Sequence, residues 1–312
     1  MIHDLPSPER PFKIGTRGSP LALWQAGEVR RCLMAAFALP EVAFAVVVIR
    51  VTGDVVQDRA LKDIGGKGLF TREIEEALLA GSIDIAVHSM KDMPVLLPEG
   101  LVIDCHLPRE DVRDGFLSPQ VARLIDLPQG AVVGSSSQRR RAQLAHRRPD
   151  LRLVEFRGNV QTRMKKLEEG VASATLLAMA GLNRLGLARM ARGPIAVEEM
   201  LPAVAQGAIG VERRQADQRA EAMLAAVHDA PTGQQMAAER AFLAALDGSC
   251  QTPIAGLAVL EGGALWLRGE ILRPDGSRVI AGDARGAVAD GPEMGRALAA
   301  ELLGRAGPGF FG

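Results

Sequence analysis

Several residues in this 312-residue chain are of types, and at spacings, that could do chemistry. Lys91 and Asp92 stand together in IDIAVHSMKDMP (residues 83–94), where Ile83, Ile85 and Val87 alternate before a polar cluster and a proline. That pattern reads as a strand running out into a loop. In an open α/β sheet ligands bind at the carboxyl ends of strands, so an aspartate placed there is positioned to act on a ligand. A strand-end turn carrying a solvated Lys–Asp pair would look the same.

The arginines are placed against their helices. Ser135-Ser136-Ser137 offers hydroxyl caps, and Gln138-Arg139-Arg140-Arg141 follows at once. Three arginines in a first helical turn are unfavourable by about 0.3–1 kcal/mol each unless an anion meets them. A second helix, from about Val160 to Glu169, repeats the inversion: Arg157 precedes an Asn159 cap, Arg163, Lys165 and Lys166 follow, and Glu168 and Glu169 close the end. Arginine implies forked recognition of carboxylates or phosphates. A multiply anionic ligand would explain this pattern, and so would solvated or salt-bridged arginines.

Three further places invite chemistry. Ser19 as N-cap and Pro20 at the first helical position start a helix after a brief strand, Phe12-Lys13-Ile14-Gly15, with Arg17 beside the free N–H groups. Lys67 lies in IGGKGLF, which fails as a phosphate loop because Gly68 stands where a hydroxyl should bind magnesium. It reads either as a flexible turn or as a mobile lysine lid over an anion. Cys250 sits in a Gly-Ser-Cys-Gln loop just after a helix, where a thiol is accessible; a lone cysteine is otherwise a small buried hydrophobe. Cys32 and Cys105 fall in apolar element patterns and are expected in the core. Three scattered cysteines make neither a disulfide framework nor a metal site.

The elements that must position these residues alternate β and α. Glu41 to Val51 reads as a strand buried on both faces, TREIEEALLAG as a helix and Leu101 to Cys105 as a strand. HLPREDVRDGFLSP reads as a crossing between domains, after which AVVG, LRLVEF and ATLLAMAGL with intervening helices make a second α/β unit. PAVAQGAIGVERR holds one more short apolar run, which could return the chain to the first unit. A helix from about Thr232 to Leu246 stops at Asp247-Gly248, and IAGLAVL, ALWLRGEI, a turn at 273–277, SRVIAG and a last helix make a small α+β domain with an antiparallel sheet.

Composition excludes little but weighs against some partners. Lys+Arg and Asp+Glu both number 37, and no aromatic residues interleave the basic groups, so neither a nucleic acid nor a membrane surface is favoured. The amino terminus has no apolar core of a secretory signal, and no apolar run is long enough to span a bilayer. A cytoplasmic protein with reduced thiols is expected.

TRGSPLALWQA, IGGKGLF, HSMKDMP, SSSQRRRAQL, RGNVQTR, AGLNRLGL, PAVAQGAIGVE and GSCQTPIA occur here in the order seen in porphobilinogen deaminases, and the chain resembles that family from about Lys13 to about Gly282. The resemblance implies two α/β domains like those of periplasmic binding proteins with a cleft between them, and a small C-terminal α+β domain. The implied division is 1–107 with 203–226, then 108–202, then 227–312. It implies a monomeric transferase of tetrapyrrole synthesis that binds porphobilinogen and no metal. Four porphobilinogens would be added in turn to a dipyrromethane cofactor on Cys250, with loss of ammonia and release of hydroxymethylbilane.

By the same resemblance Asp92 matches the catalytic aspartate. Lys91, Ser135, Ser137, Arg139 and Arg140 match the cofactor's surroundings. Arg17, Ser19, Arg157, Arg163 and Arg184 match the substrate-binding set, and Lys67 a mobile-loop lysine. Ser173 and Asp63 depart from residues common in the family, beside matched motifs.

The chemistry suits these types. Loss of ammonia from an aminomethylpyrrole leaves a cation shared by the ring N–H, which a carboxylate stabilises. Each pyrrole carries two carboxylates, which arginines would hold. A non-catalytic anion-binding module of the same two-lobed fold, or a nucleic-acid binder using Arg139 to Arg141, are the alternatives from other classes.

Overall fold

The computed structural model describes residues 5–51, 71–249 and 252–311. The chain opens with β1 (Phe12–Thr16), α1 (Pro20–Phe37), β2 (Phe44–Val48), α2 (Arg72–Leu79), β3 (Ile85–Ser89) and β4 (Leu101–His106). It continues through β5 (Asp114–Leu117), β6 (Val132–Gly134), α3 (Gln138–Arg147), β7 (Arg152–Val154), α4 (Val160–Glu168), β8 (Ala174–Ala178), α5 (Met179–Arg184) and β9 (Gly193–Pro194). Then come β10 (Ile209–Arg214), α6 (Gln218–Ala225), α7 (Ala230–Ala245), β11 (Ile254–Glu261), β12 (Ala264–Leu272), β13 (Val279–Ala287) and α8 (Gly291–Ala306).

Two compact units result. Residues 1–110 with 208–233 form the first, and residues 111–207 with 234–312 the second. The first holds a five-stranded sheet in the order β2-β1-β3-β10-β4, with β1 parallel to β2 and β3 and β10 antiparallel to both neighbours. The second holds a sheet in the order β7-β6-β8-β5-β9, with β6 parallel to β7 and β8 and β5 antiparallel to both neighbours. The plan is the same twice. In each, the strand supplied from outside the local β/α run enters fourth and runs against the rest. The second unit adds the antiparallel sheet β11-β12-β13.

Central strands of the second sheet feed two cores. Phe116 and Leu176 point into one cluster with Val133 and Leu144, while Leu117 and Leu177 point into another with Phe156 and Leu182. Successive side chains on a strand face opposite ways, so a sheet covered on both faces needs consecutive apolar residues. Gly134, at the end of β6, is there for close approach: a Cβ would stand 2.3 Å from the Phe156 ring.

Four expectations change. The run from Glu41 to Val51 is not a strand buried on both faces: it opens as a 3₁₀ turn, Glu41–Ala43, and continues as the edge strand β2, with Val42 and Val48 exposed. The crossing in HLPREDVRDGFLSP ends sooner than its polarity suggests, because Asp114–Leu117 is a fully buried strand. Helix α7 stops at Asp247, whose φ of 48° is left-handed, rather than on glycine conformation. Gly248 serves packing, since a Cβ would lie 2.5 Å from Ile254 and Leu243 side-chain atoms. Cys105 is core, as expected, but Cys32 is only half-buried.

Candidate active site

In the first unit β1 and β3 are adjacent and parallel, so their carboxyl ends meet at one edge. After β1 the chain passes through Arg17 into α1, where Ser19 Oγ accepts from the Ala22 N–H at 3.3 Å and Pro20 fills the first helical position. That cap is favourable because the first helical N–H groups lack intrahelical acceptors. After β3 a 3₁₀ turn, Met90–Asp92, buries Met90 and leaves Asp92 exposed. The Met90 N–H donates to Ala208 O, which pins the turn to the chain entering β10. A cavity of about 70 Å³ between these strand ends is lined by Arg17, Ser19, Gln25, His88, Ser89 and Asp92. Gln25 donates to Ser89 Oγ at 2.8 Å, fixing α1 against β3. Arg17, Ser19 and Asp92 therefore line one cavity. Lys91 is half-buried and does not line the cavity.

In the second unit the arginines of α3 do meet an anion, and it comes from the protein. Asp114, fully buried on β5, lies 2.8 Å from Arg139 Nη2 and 2.7 Å from Arg140 Nη2, and accepts from Gln206 Nε2 at 2.9 Å. Burial alone would raise the Asp114 pKa, but the Arg139 and Arg140 charges outweigh it and hold the carboxyl well below its usual range. Part of the charge inversion is thus explained internally, by the salt-bridged alternative that the sequence left open. One carboxylate nevertheless faces two guanidiniums, and the Nε of each arginine is buried with no acceptor among the described residues.

A third arginine makes no ion pair with a carboxylate among the described residues, although the Glu155 charge acts on it. Arg163, on α4, donates Nε to Gly158 O at 2.9 Å. Burial first, and then the positive charge of Arg140, pull its pKa from 12.5 down to about 10. Arg157 adds to the repulsion. The serines build the scaffold of this patch. Ser135 Oγ accepts from the Ser137 N–H, Ser136 Oγ from the Phe156 N–H, and Ser137 Oγ caps α3 by accepting from the Arg140 N–H. Asn159 caps α4 by accepting from the Thr162 N–H at 2.9 Å. Acidic groups fit this donor set: a ligand carboxylate here would neutralise cations that the fold has desolvated and crowded together.

Arg184 is buried and donates to Gly207 O at 2.7 Å. Lys67, Asp63 and Cys250 lie outside the described residues; beside Cys250, the Thr252 N–H donates to Ser249 O at 3.0 Å. Among the described residues no cluster of three or more His, Cys, Asp or Glu is placed to hold a metal. No described helix is long and apolar enough to cross a membrane. Asp114, Gln206, His88 and Glu212 were missed from sequence. For Asp114, His88 and Glu212 the signal is a polar residue inside a strand segment, in DGFL, IAVHS and IGVERR; Gln206 lies in a turn and carries no such signal.

Residues 12–222 match the family model described as "Porphobilinogen deaminase, dipyromethane cofactor binding domain", and residues 234–304 match its C-terminal domain. The chain belongs to the porphobilinogen deaminase family. A porphobilinogen deaminase of Paracoccus denitrificans is 68% identical over 307 residues, covering 98% of each chain. A chloroplastic porphobilinogen deaminase of Pisum sativum is 52% identical over 306 residues, covering 96% of this chain and 83% of that one. Among solved structures, a putative methionine-binding lipoprotein from Bacillus subtilis aligns at 14% identity and a TM-score of 0.43, over 72% of this chain and 93% of that one. The matched domain is described as one that binds a dipyrromethane cofactor, and the arginine patch of the second unit lies within the residues it covers.

Proposed function

We propose that this chain is a hydroxymethylbilane synthase. It joins four porphobilinogen molecules head to tail onto a dipyrromethane primer carried by Cys250, losing ammonia at each step. The observation that carries this reading is the cavity where Asp92 stands with Arg17 and Ser19 at the ends of two parallel strands. Arg17 and the capped start of α1 bind a substrate carboxylate. The exposed Asp92 carboxylate accepts from a pyrrole N–H and stabilises the positive charge left as ammonia departs.

In the second unit Arg163, with the outer edges of Arg139 and Arg140, holds carboxylates, and the Ser135 and Ser137 hydroxyls donate to them. Arg157 and Arg184 serve the growing chain, and Lys67 and Lys91 flank the ligand. The primer, when bound, supplies a nucleophilic ring carbon that cannot diffuse away between additions. Residues 227–312 act as a cofactor-carrying domain distinct from 108–202, and the enzyme works as a cytoplasmic monomer.

The test is the intact mass of the purified protein with peptide mapping around Cys250. The expected result is an added mass of two linked pyrrole units on that thiol. Porphobilinogen added to wild type then releases ammonia, while Asp92→Asn carries the adduct but turns over at least about 100-fold more slowly. A protein that neither carries nor acquires the adduct, and releases no ammonia, refutes the reading.

A further inference from the structure

Below the Asp92 cavity lies a titratable pair that the reading above does not use. His88, on β3, presents Nε2 to Glu212 Oε2 on β10 at 2.9 Å, with side chains 4% and 0% exposed. The register places Glu212 opposite Ala86, so its side chain shares a sheet face with His88 and reaches it diagonally. On that face α2 contributes Glu75, whose carboxyl is pushed up by burial and further by the Glu212 charge. A carboxylate facing Nε2 makes that nitrogen the N–H donor. Nδ1 is then the ring nitrogen left without a protein partner among the described residues, on a residue that stands with Asp92 in the lining of the cavity.

We propose that His88, oriented by Glu212, is a second catalytic residue of the Asp92 pocket and carries the proton that each addition must move. This rests on the function proposed above. In each addition the amine of one aminomethylpyrrole leaves as ammonia, and a ring carbon of another pyrrole loses its hydrogen. The net transfer is one proton from carbon to nitrogen. The cycle starts from the imidazolium, in which Nδ1 carries a proton as well as Nε2: Nδ1–H gives its proton to the amine as the C–N bond breaks, and the bonding pair leaves with nitrogen. The ring carbon of the acceptor then attacks the methylene carbon. The C–H pair of that ring carbon returns to the ring, and its proton goes to Nδ1, restoring the starting state. Imidazole suits such a cycle because it exchanges a proton near neutral pH, whereas Asp92, open to solvent, suits steady charge stabilisation. Glu212 keeps the ring aimed in both states, as the buried carboxylate does in other carboxylate–histidine pairs.

The experiment uses the cofactor-bearing enzyme, with loading verified by intact mass. His88→Ala is expected to lower kcat for ammonia release by about 100-fold or more, with KM within about threefold. Added imidazole is expected to restore activity saturably, by about tenfold, through the space the ring vacates. His88→Gln, which fills that space and can still donate to Glu212, is expected to lose kcat to the same extent without rescue by imidazole. Glu212→Gln is expected to give an intermediate loss. The proposal is overturned if His88→Gln keeps kcat within about threefold, or if a loaded, folded His88→Ala enzyme is impaired but imidazole has no effect. A wild-type protein that releases no ammonia from porphobilinogen refutes instead the function on which this rests.

Discussion

Replacing Asp114 with asparagine removes the one negative charge shared by two buried guanidiniums while keeping the side chain's size. Asparagine can still accept from Gln206 Nε2 and Arg140 Nη2, so the hydrogen bonds at 2.9 and 2.7 Å can persist. What is lost is the neutralisation of Arg139 and Arg140, which are 3% and 6% exposed. Removing one partner of a buried pair costs about 3–5 kcal/mol because the other charge stays desolvated. The retained hydrogen bonds place asparagine near the lower figure, about 3 kcal/mol, or over 100-fold in the folded-to-unfolded ratio at 1.4 kcal/mol per tenfold. The pH dependence has a definite sign. The folded Asp114 pKa lies below its ordinary value of 3.8, so its contribution is whole above about pH 4 and is lost only as pH falls through the folded pKa.

The assay is urea unfolding of the second unit by tryptophan fluorescence. The chain has two tryptophans, Trp24 in the first unit and Trp266 in the second, so a Trp24→Phe background makes Trp266 the reporter. A difference below about 1 kcal/mol at pH 7, or one that has already vanished at pH 5, would refute the assignment of Asp114 as the charged keystone of this patch.

Arg163→Gln removes a desolvated cation that has no carboxylate bonded to it among the described residues, so stability should change little, while binding of acidic ligand should weaken by about 1.5–3 kcal/mol, read as a raised porphobilinogen KM or incomplete cofactor loading. Normal KM and loading would remove it from the site. The Cys105 thiol, pushed up to about 12 chiefly by burial, should resist alkylation in the native protein at pH 8 and react only after denaturation, as peptide mapping will show. Gly134→Ala drives a methyl into the Phe156 ring and should lower second-unit stability by about 1–3 kcal/mol. An unchanged urea midpoint would mean the ring moves aside freely.

Sequence by itself determined the local starts and stops and the family. Ser19, Ser137 and Asn159 cap the helices they announce, because capping depends on residues within one turn. The alternating run before His88 became a strand ending at Ser89, and PAVAQGAIGVERR supplied the returning strand β10, whose apolar residues needed a sheet to enter. That Asp92 follows a strand end was also legible, whereas its meeting with Arg17 and Ser19 around one cavity needed β1 and β3 to be neighbours, which the structure shows.

Only tertiary structure decided that Glu41 to Val51 is an edge, because strand order depends on partners far along the chain. It alone showed that the arginines of α3 are met by Asp114, a residue hidden in a segment polar enough to read as a crossing. It alone showed that His88, which the sequence places in a polar cluster at a strand end, is buried against Glu212. Charge pattern along a helix records an imbalance, but whether a ligand or a distant carboxylate restores it is a question of three-dimensional distance, since screening and desolvation act through space and not along the chain.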